Sequence, residues 1–189
     1  GADTREYCGR AGWLPLGYND HLFKKGAGDK DIDVLVSGSI GSSAVTVSSG
    51  ATLAGAGTVG SIASLAGTVS PGNSAGAAGT LTVTGAVALG GGTYTCDISG
   101  TGSTDCDKIA AGGAVAAASA LTINLPTSAP AGFDACNSYS WTIMSGSSAD
   151  AANMSIGTKW ASGVSFGVSA TNNTIVVTHT PGAPGKPTL

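Results

Sequence analysis

One stretch constrains the fold more than any other. Residues 48–83 read SSGATLAGAGTVGSIASLAGTVSPGNSAGAAGTLTV, with single β-prone residues (Leu53, Val59, Ile62, Leu65, Val69, Leu81, Val83) recurring between Gly, Ser, Thr and Ala. No helix of ordinary length fits this spacing, whereas short strands separated by Gly/Ser turns do. The apolar anchors recur at intervals of about six or seven residues, too short for the helical crossover that joins parallel strands, which takes a dozen or more. Parallel pairing then requires the chain to coil, each short strand lying on the one a full turn earlier. The expected class is all-β, a stacked β-solenoid.

The pattern runs from Val34 onward, with strands predicted at 34–36, 45–47, 81–83, 87–89, 94–98, 121–125, 141–143, 164–168 and 175–178. Most alternate apolar residues with Thr or Ser, so Tyr94, Cys96 and Ile98 should face in while Thr95 and Asp97 face out. A coil of about 20 residues and about 4.8 Å per layer would make the body seven or eight layers tall, a rod. Residues 110–120, AAGGAVAAASA, contain Gly112 and Gly113 and read as coil corners around Val115 rather than a helix.

Residues 1–33 are different in kind. They hold eleven of the nineteen formal charges and four aromatics, Tyr7, Trp13, Tyr18 and Phe23. Solenoid ends must be covered, because open strand edges pair with whatever is available. This segment is therefore expected to be an irregular cap, or a docking arm through which copies assemble. The body spans 34–180, and residues 181–189, rich in Pro and Gly, form a tail.

Charged residues make up only 10% of the chain and the net charge is −3. Nucleic acid and anionic membranes call for a clustered basic surface, so neither is an expected partner. No apolar run approaches the roughly 20 residues that span a bilayer. The chain begins at Gly1 rather than Met, which reads as a mature product or an excised piece. The four cysteines contain no C-x-x-C pair, and an even count in a Ser/Thr-rich chain fits an oxidising compartment. Three connectivities are possible. A ten-residue loop returning to a neighbouring strand favours Cys96 with Cys106, leaving Cys8 with Cys136; the alternative is four free thiols.

Several motifs resemble chemistry. Gly55-Ala56-Gly57-Thr58-Val59-Gly60 fits G-x-G-x-x-G, but no helix is expected after it, and the first acid beyond Asp33 is Asp97. Gly72-Asn73-Ser74-Ala75-Gly76 fits the nucleophile elbow G-x-S-x-G, with Asp134 or Asp150 and His179 in hydrolase order, yet GTLTVTG, another strand, follows it. Asp97, Asp105 and Asp107 are weak candidates for a calcium site and match no EF-hand spacing, so solvated loop acids are expected. Polysaccharide cleavage needs paired carboxylates or acids with a basic partner. Between Val34 and Thr158 the only basic side chain is Lys108, which leaves such a cleft poorly supplied. His21 and His179 read as surface or capping residues. The sequons at Asn153 and Asn172 matter only if the source glycosylates asparagine. No catalytic residue and no cofactor is expected.

Residues 51–113, with SPGNSAG at 70–76 followed by GTLTVTG, resemble the passenger-associated transport repeat of bacterial autotransporter-type secreted proteins. YSWTIMSGSS at 139–148 resembles the strand that closes such modules. The resemblance covers about 34–177, leaves 1–33 unmatched, and is departed from by the cysteines. It implies a right-handed parallel β-helix, secretion and exposure at the cell surface, and no activity. The expected role is an extracellular structural protein that self-associates into a fibre or filament. The alternatives are a monomeric adhesin stalk or display module meeting surface glycans and, remotely, a polysaccharide-active enzyme.

Overall fold

The computed structural model describes residues 21–25, 32–160 and 165–182. Among them the protein is all-β, seventeen strands and no helix, arranged in two sheets. The seven-stranded sheet contains β1 (His21–Lys25), β2 (Ile32–Val36), β4 (Thr52–Gly55), β6 (Thr68–Pro71), β9 (Thr93–Thr95), β12 (Leu121–Asn124) and β15 (Met154–Ile156), in that spatial order. The ten-stranded sheet contains β3 (Ser39–Val47), β5 (Thr58–Leu65), β7 (Thr80–Val83), β8 (Val87–Leu89), β10 (Lys108–Ala111), β11 (Val115–Ala117), β13 (Tyr139–Ser145), β14 (Ala149–Asp150), β16 (Ser165–Thr171) and β17 (Thr174–Thr180).

From β2 to β15 the seven-stranded sheet is parallel, and each strand pairs with the one laid down a circuit earlier. Val34, Leu53, Val69, Tyr94, Ile123 and Ile156 stack in register, each marking the start of a new circuit. The shortest circuit runs from Leu53 to Val69, and every later one is longer than the one before it, up to the circuit from Ile123 to Ile156. A second column runs through Val45, Ile62, Val87, Val115 and Ala149 in the other sheet. The circuit length expected from the sequence holds only for the first two, and six parallel strands stack where seven or eight layers were expected. The later circuits are longer because each carries a corner loop, and fewer layers use the same length of chain.

The period-two pattern decides what is buried. In β12, Leu121 and Ile123 are buried while Thr122 and Asn124 are half-buried. Tyr94, Cys96 and Ile98 face inward as expected, although β9 ends at Thr95. The core is made of Val, Leu and Ile with Tyr94, Trp141, Met144 and Met154 among them, each large apolar side chain contributing roughly 1.5–3 kcal/mol by leaving water. Val115 lies inside β11 rather than at a corner; the corner is 112–114, between β10 and β11.

The G-x-G-x-x-G match is explained by stacking. Gly55 has φ +118, and a Cβ there would run into the carbonyl oxygen of Val36 one circuit away; two residues on, Gly57 donates its N–H to the same oxygen at 2.8 Å. The strand β5 follows, not a helix, so the phosphate-cradle geometry is absent at this site.

Antiparallel pairing appears at both ends of the chain's path. β1 pairs antiparallel with β2, and β13 is followed by antiparallel β17 and β16. Asn172 and Asn173, both with positive φ, make the two-residue turn between β16 and β17, the geometry of a type I′ hairpin. The described part of the expected N-terminal arm therefore ends in a strand, and Phe23 belongs to β1. Tyr7, Trp13, Tyr18 and Cys8 lie outside the described residues, as do 183–189 of the tail.

Ile123 is fully buried between Tyr94 and Ile156. Ile123→Ala is expected to lower unfolding free energy by about 2–5 kcal/mol in urea titrations followed by circular dichroism. Thr122→Ala on the outer face should change it by no more than about 0.5 kcal/mol. Equal effects at the two positions would contradict the inward–outward assignment.

Candidate functional site

Four of the five acids of residues 34–160 lie at one repeated place, the corner where the chain leaves the seven-stranded sheet for the ten-stranded one. Between β4 and β5 this corner is only residues 56–57. It grows to 72–79 between β6 and β7, to 96–107 between β9 and β10, and to 125–138 between β12 and β13.

These corners are bonded to one another. The Ala56 N–H donates to Asn73 Oδ1 at 3.1 Å, and the Gly76 N–H to Asp97 Oδ2 at 2.7 Å. Asp107 accepts from the Gly79 N–H at 2.8 Å through one oxygen and from the Asp97 N–H at 3.0 Å through the other. One circuit further, Trp141 Nε1 donates to the Gly100 carbonyl at 3.0 Å and the Thr142 N–H to the Ser103 carbonyl at 2.9 Å. The turn at 72–79, which contains most of SPGNSAG, is thus pinned by two carboxylates from the next circuit, Asp97 at Gly76 and Asp107 at Gly79. A Cβ at Gly79 would collide with Gly72 Cα, which shows how closely the two arms of that turn approach.

The three acids weighed as calcium ligands have different work. Asp97 and Asp107 hold the 72–79 turn, and Asp105 Oδ2 accepts from the Gly102 N–H at 2.8 Å within its own loop. Asp107 is completely buried rather than solvated. Among the described residues no cluster of three or more His, Cys, Asp or Glu is placed to hold a metal. Burial raises the Asp107 carboxyl to about 7, against the opposing effect of the amide N–H groups of Asp97 and Gly79 and with help from the Asp97 charge. Above it, Tyr94 places its hydroxyl 2.8 Å from the Asp107 carbonyl and 3.2 Å from that of Ile143, and burial holds the phenol well above its usual range.

The elbow residues do not form a triad. Ser74 is exposed and strand β7 follows it. Asp134 caps the Cys136 N–H at 2.9 Å and the Asn137 side chain at 3.2 Å, and Asp150 caps the Ala152 N–H at 2.9 Å. His179 is 2% exposed, a buried residue rather than a surface one, with Nδ1 3.0 Å from the Ser165 carbonyl and Nε2 3.1 Å from that of Ala135. Its ring sits among Phe133, Tyr139 and Phe166, which join Trp141 and Trp160 in one aromatic group. This group fastens the 125–138 loop to the closing hairpin. The sequence signal for it is the concentration of aromatics after residue 130, Phe133, Tyr139, Trp141, Trp160 and Phe166. Of the sequons, Asn153 uses its side-chain amide on the Ala117 carbonyl at 2.8 Å, and Asn172 lies in the hairpin turn.

Cys96 and Cys106 are both buried and close enough for their thiols to perturb each other, but they are free thiols and not the expected disulfide. Cys136 is exposed. No protein-family model matches the chain, and no curated protein matches its sequence.

The Asp107 shift gives stability a distinct pH dependence. Its folded value, about 7, exceeds the ordinary 3.8, so the folded protein binds a proton that the unfolded chain has lost between those values. This contribution is fully present below about pH 4 and declines as pH rises to about 7, at up to about 1.4 kcal/mol per pH unit. Asp107→Asn should flatten that component of the urea-derived stability profile. An unchanged slope would contradict the assignment. His179→Ala removes the ring from the aromatic group and leaves the Ser165 and Ala135 carbonyls without their ring partner. It is expected to cost about 2–4 kcal/mol in thermal unfolding, and no change would mean that the closing hairpin does not depend on it.

Proposed function

We propose that the circuits wind as a right-handed parallel β-helix and that the protein is an extracellular structural rod, self-associating into a fibre or filament at a bacterial surface. The observation that carries this reading is the use made of the polar side chains. All five acids of residues 34–160, Asp97, Asp105, Asp107, Asp134 and Asp150, accept hydrogen bonds from backbone amides at corners and turns. The body spends its scarce charge on holding itself together.

Six parallel strands stack about 4.8 Å apart along the proposed axis, with Thr, Ser and Ala on the outward positions. The resemblance to the passenger-associated transport repeat supports the same placement, outside the cell. In this reading 34–180 is the rod and 181–189 its tail, and Tyr7, Trp13, Tyr18 and Phe23 in segment 1–33 supply the adhesive contacts between copies. The antiparallel strands at either end of the path favour contact through this arm over direct continuation of the ladder.

Electron microscopy and light scattering of the purified full chain test the proposal. Filaments are expected for the wild type and their loss for Tyr7→Ala/Trp13→Ala/Tyr18→Ala, with an unchanged far-ultraviolet spectrum. A monodisperse monomer at high concentration would overturn self-assembly, and binding of that monomer on a glycan array would replace the fibre with a display module.

A further inference from the structure

We propose that Cys96 and Cys106 are a reversible disulfide site that locks the 96–107 corner loop shut. The inference is independent of whether the protein forms fibres. It starts from the stem of the loop, where the Asp107 N–H donates to the Asp97 carbonyl at 2.8 Å and the Ser99 N–H to the Asp105 carbonyl at 2.9 Å. Ile98 and Cys106 form an antiparallel bridge there. In that register Cys96 is the diagonal neighbour of Cys106 on the same face of the stem.

Both side chains point into the core, 1% and 3% exposed, and the two thiols lie close enough to perturb each other. Cys96 Sγ otherwise reaches only distant carbonyls, Asp97 at 3.7 Å and Asp107 at 3.9 Å, while Cys106 Sγ lies 3.4 Å from the Thr142 carbonyl. Joining the two sulfurs gives up the Cys106 contact with Thr142 and draws together a diagonal pair that ordinarily sits about 7–8 Å apart, a closure the stem of the loop must absorb. The consequence reaches beyond the loop. Its stem residues Asp97 and Asp107 hold the turn of the preceding circuit, and its carbonyls at Gly100 and Ser103 receive Trp141 and Thr142 of the following one. A covalent bond at the stem fastens three circuits together.

The oxidant is a low-molecular-weight disulfide. The loop must open for the oxidant to reach the thiols, and initial attack by Cys106 gives the same product as attack by Cys96. In the route begun by Cys106, its thiolate displaces one half of the small disulfide as a thiolate and leaves a mixed disulfide on Cys106. Cys96 gives up its proton and attacks the Cys106 sulfur, displacing the second half. Two protein thiols are oxidised, and the small disulfide is reduced to two thiols that take up the two protons.

The test uses the full chain, equilibrated with glutathione disulfide, alkylated, and cleaved before aspartate. The expected product is the peptide ending at Cys96 carrying the dipeptide Asp105-Cys106, with dithiothreitol returning both thiols to alkylation. Oxidation should raise Tm by about 5 °C or more in wild type and in Cys136→Ser, and not in Cys96→Ser/Cys106→Ser. Both cysteines remaining alkylated, a stable mixed disulfide with glutathione, or linkage to Cys8 or Cys136 would each overturn the proposal. The peptide map stands on the wild type alone if the double variant does not fold.

Discussion

Parallel strands laid one circuit apart must hydrogen-bond along their whole length, and that requirement dictates most of this sequence. Each residue of a strand sits about 4.8 Å from its counterpart in the next circuit, so a side chain placed at a stacked position meets its own kind repeatedly. Aliphatic residues tolerate this on the inside, as in the Val45–Ile62–Val87–Val115 column. Outside, threonine stacks on threonine, as Thr52, Thr68, Thr93 and Thr122 do. Charges of one sign directly opposite each other would repel, and Lys108 accordingly lies on Thr80. Low charge is therefore a consequence of the architecture.

Where the chain turns the corner the ladder lapses, and backbone amides need other acceptors. The acids provide them. A carboxylate accepts several N–H bonds at once, and Asp107 does so from two loops at a cost in desolvation that raises its proton affinity. The corner loops thereby hold successive circuits through side chains as well as through the ladders. That accounts for how a circuit as short as Leu53 to Val69 and one as long as Ile123 to Ile156 share one register.

The all-β class and the inward set Tyr94, Cys96 and Ile98 were legible because alternation and turn residues act locally. The lengths of the circuits were not, since a corner loop of any size leaves the strand pattern on either side intact. The antiparallel closing hairpin was written in Asn172-Asn173, a turn signal hidden within a sequon. The acids looked like solvated loop residues because capping depends on which amide a neighbouring circuit presents, as Gly79 does to Asp107, and nothing in the local sequence states that. The cysteine pair was legible as proximity, because an excursion that returns to its starting point must bring its ends together.

The central claim is that neighbouring circuits pair in parallel and in register, and backbone nuclear Overhauser contacts test it most directly. The account requires amide-to-Hα contacts of parallel type around the pairs Leu53/Val69, Val69/Tyr94 and Tyr94/Ile123. Strong Hα–Hα contacts of antiparallel type among β4, β6, β9 and β12, or pairing between strands adjacent in sequence in their place, would contradict it.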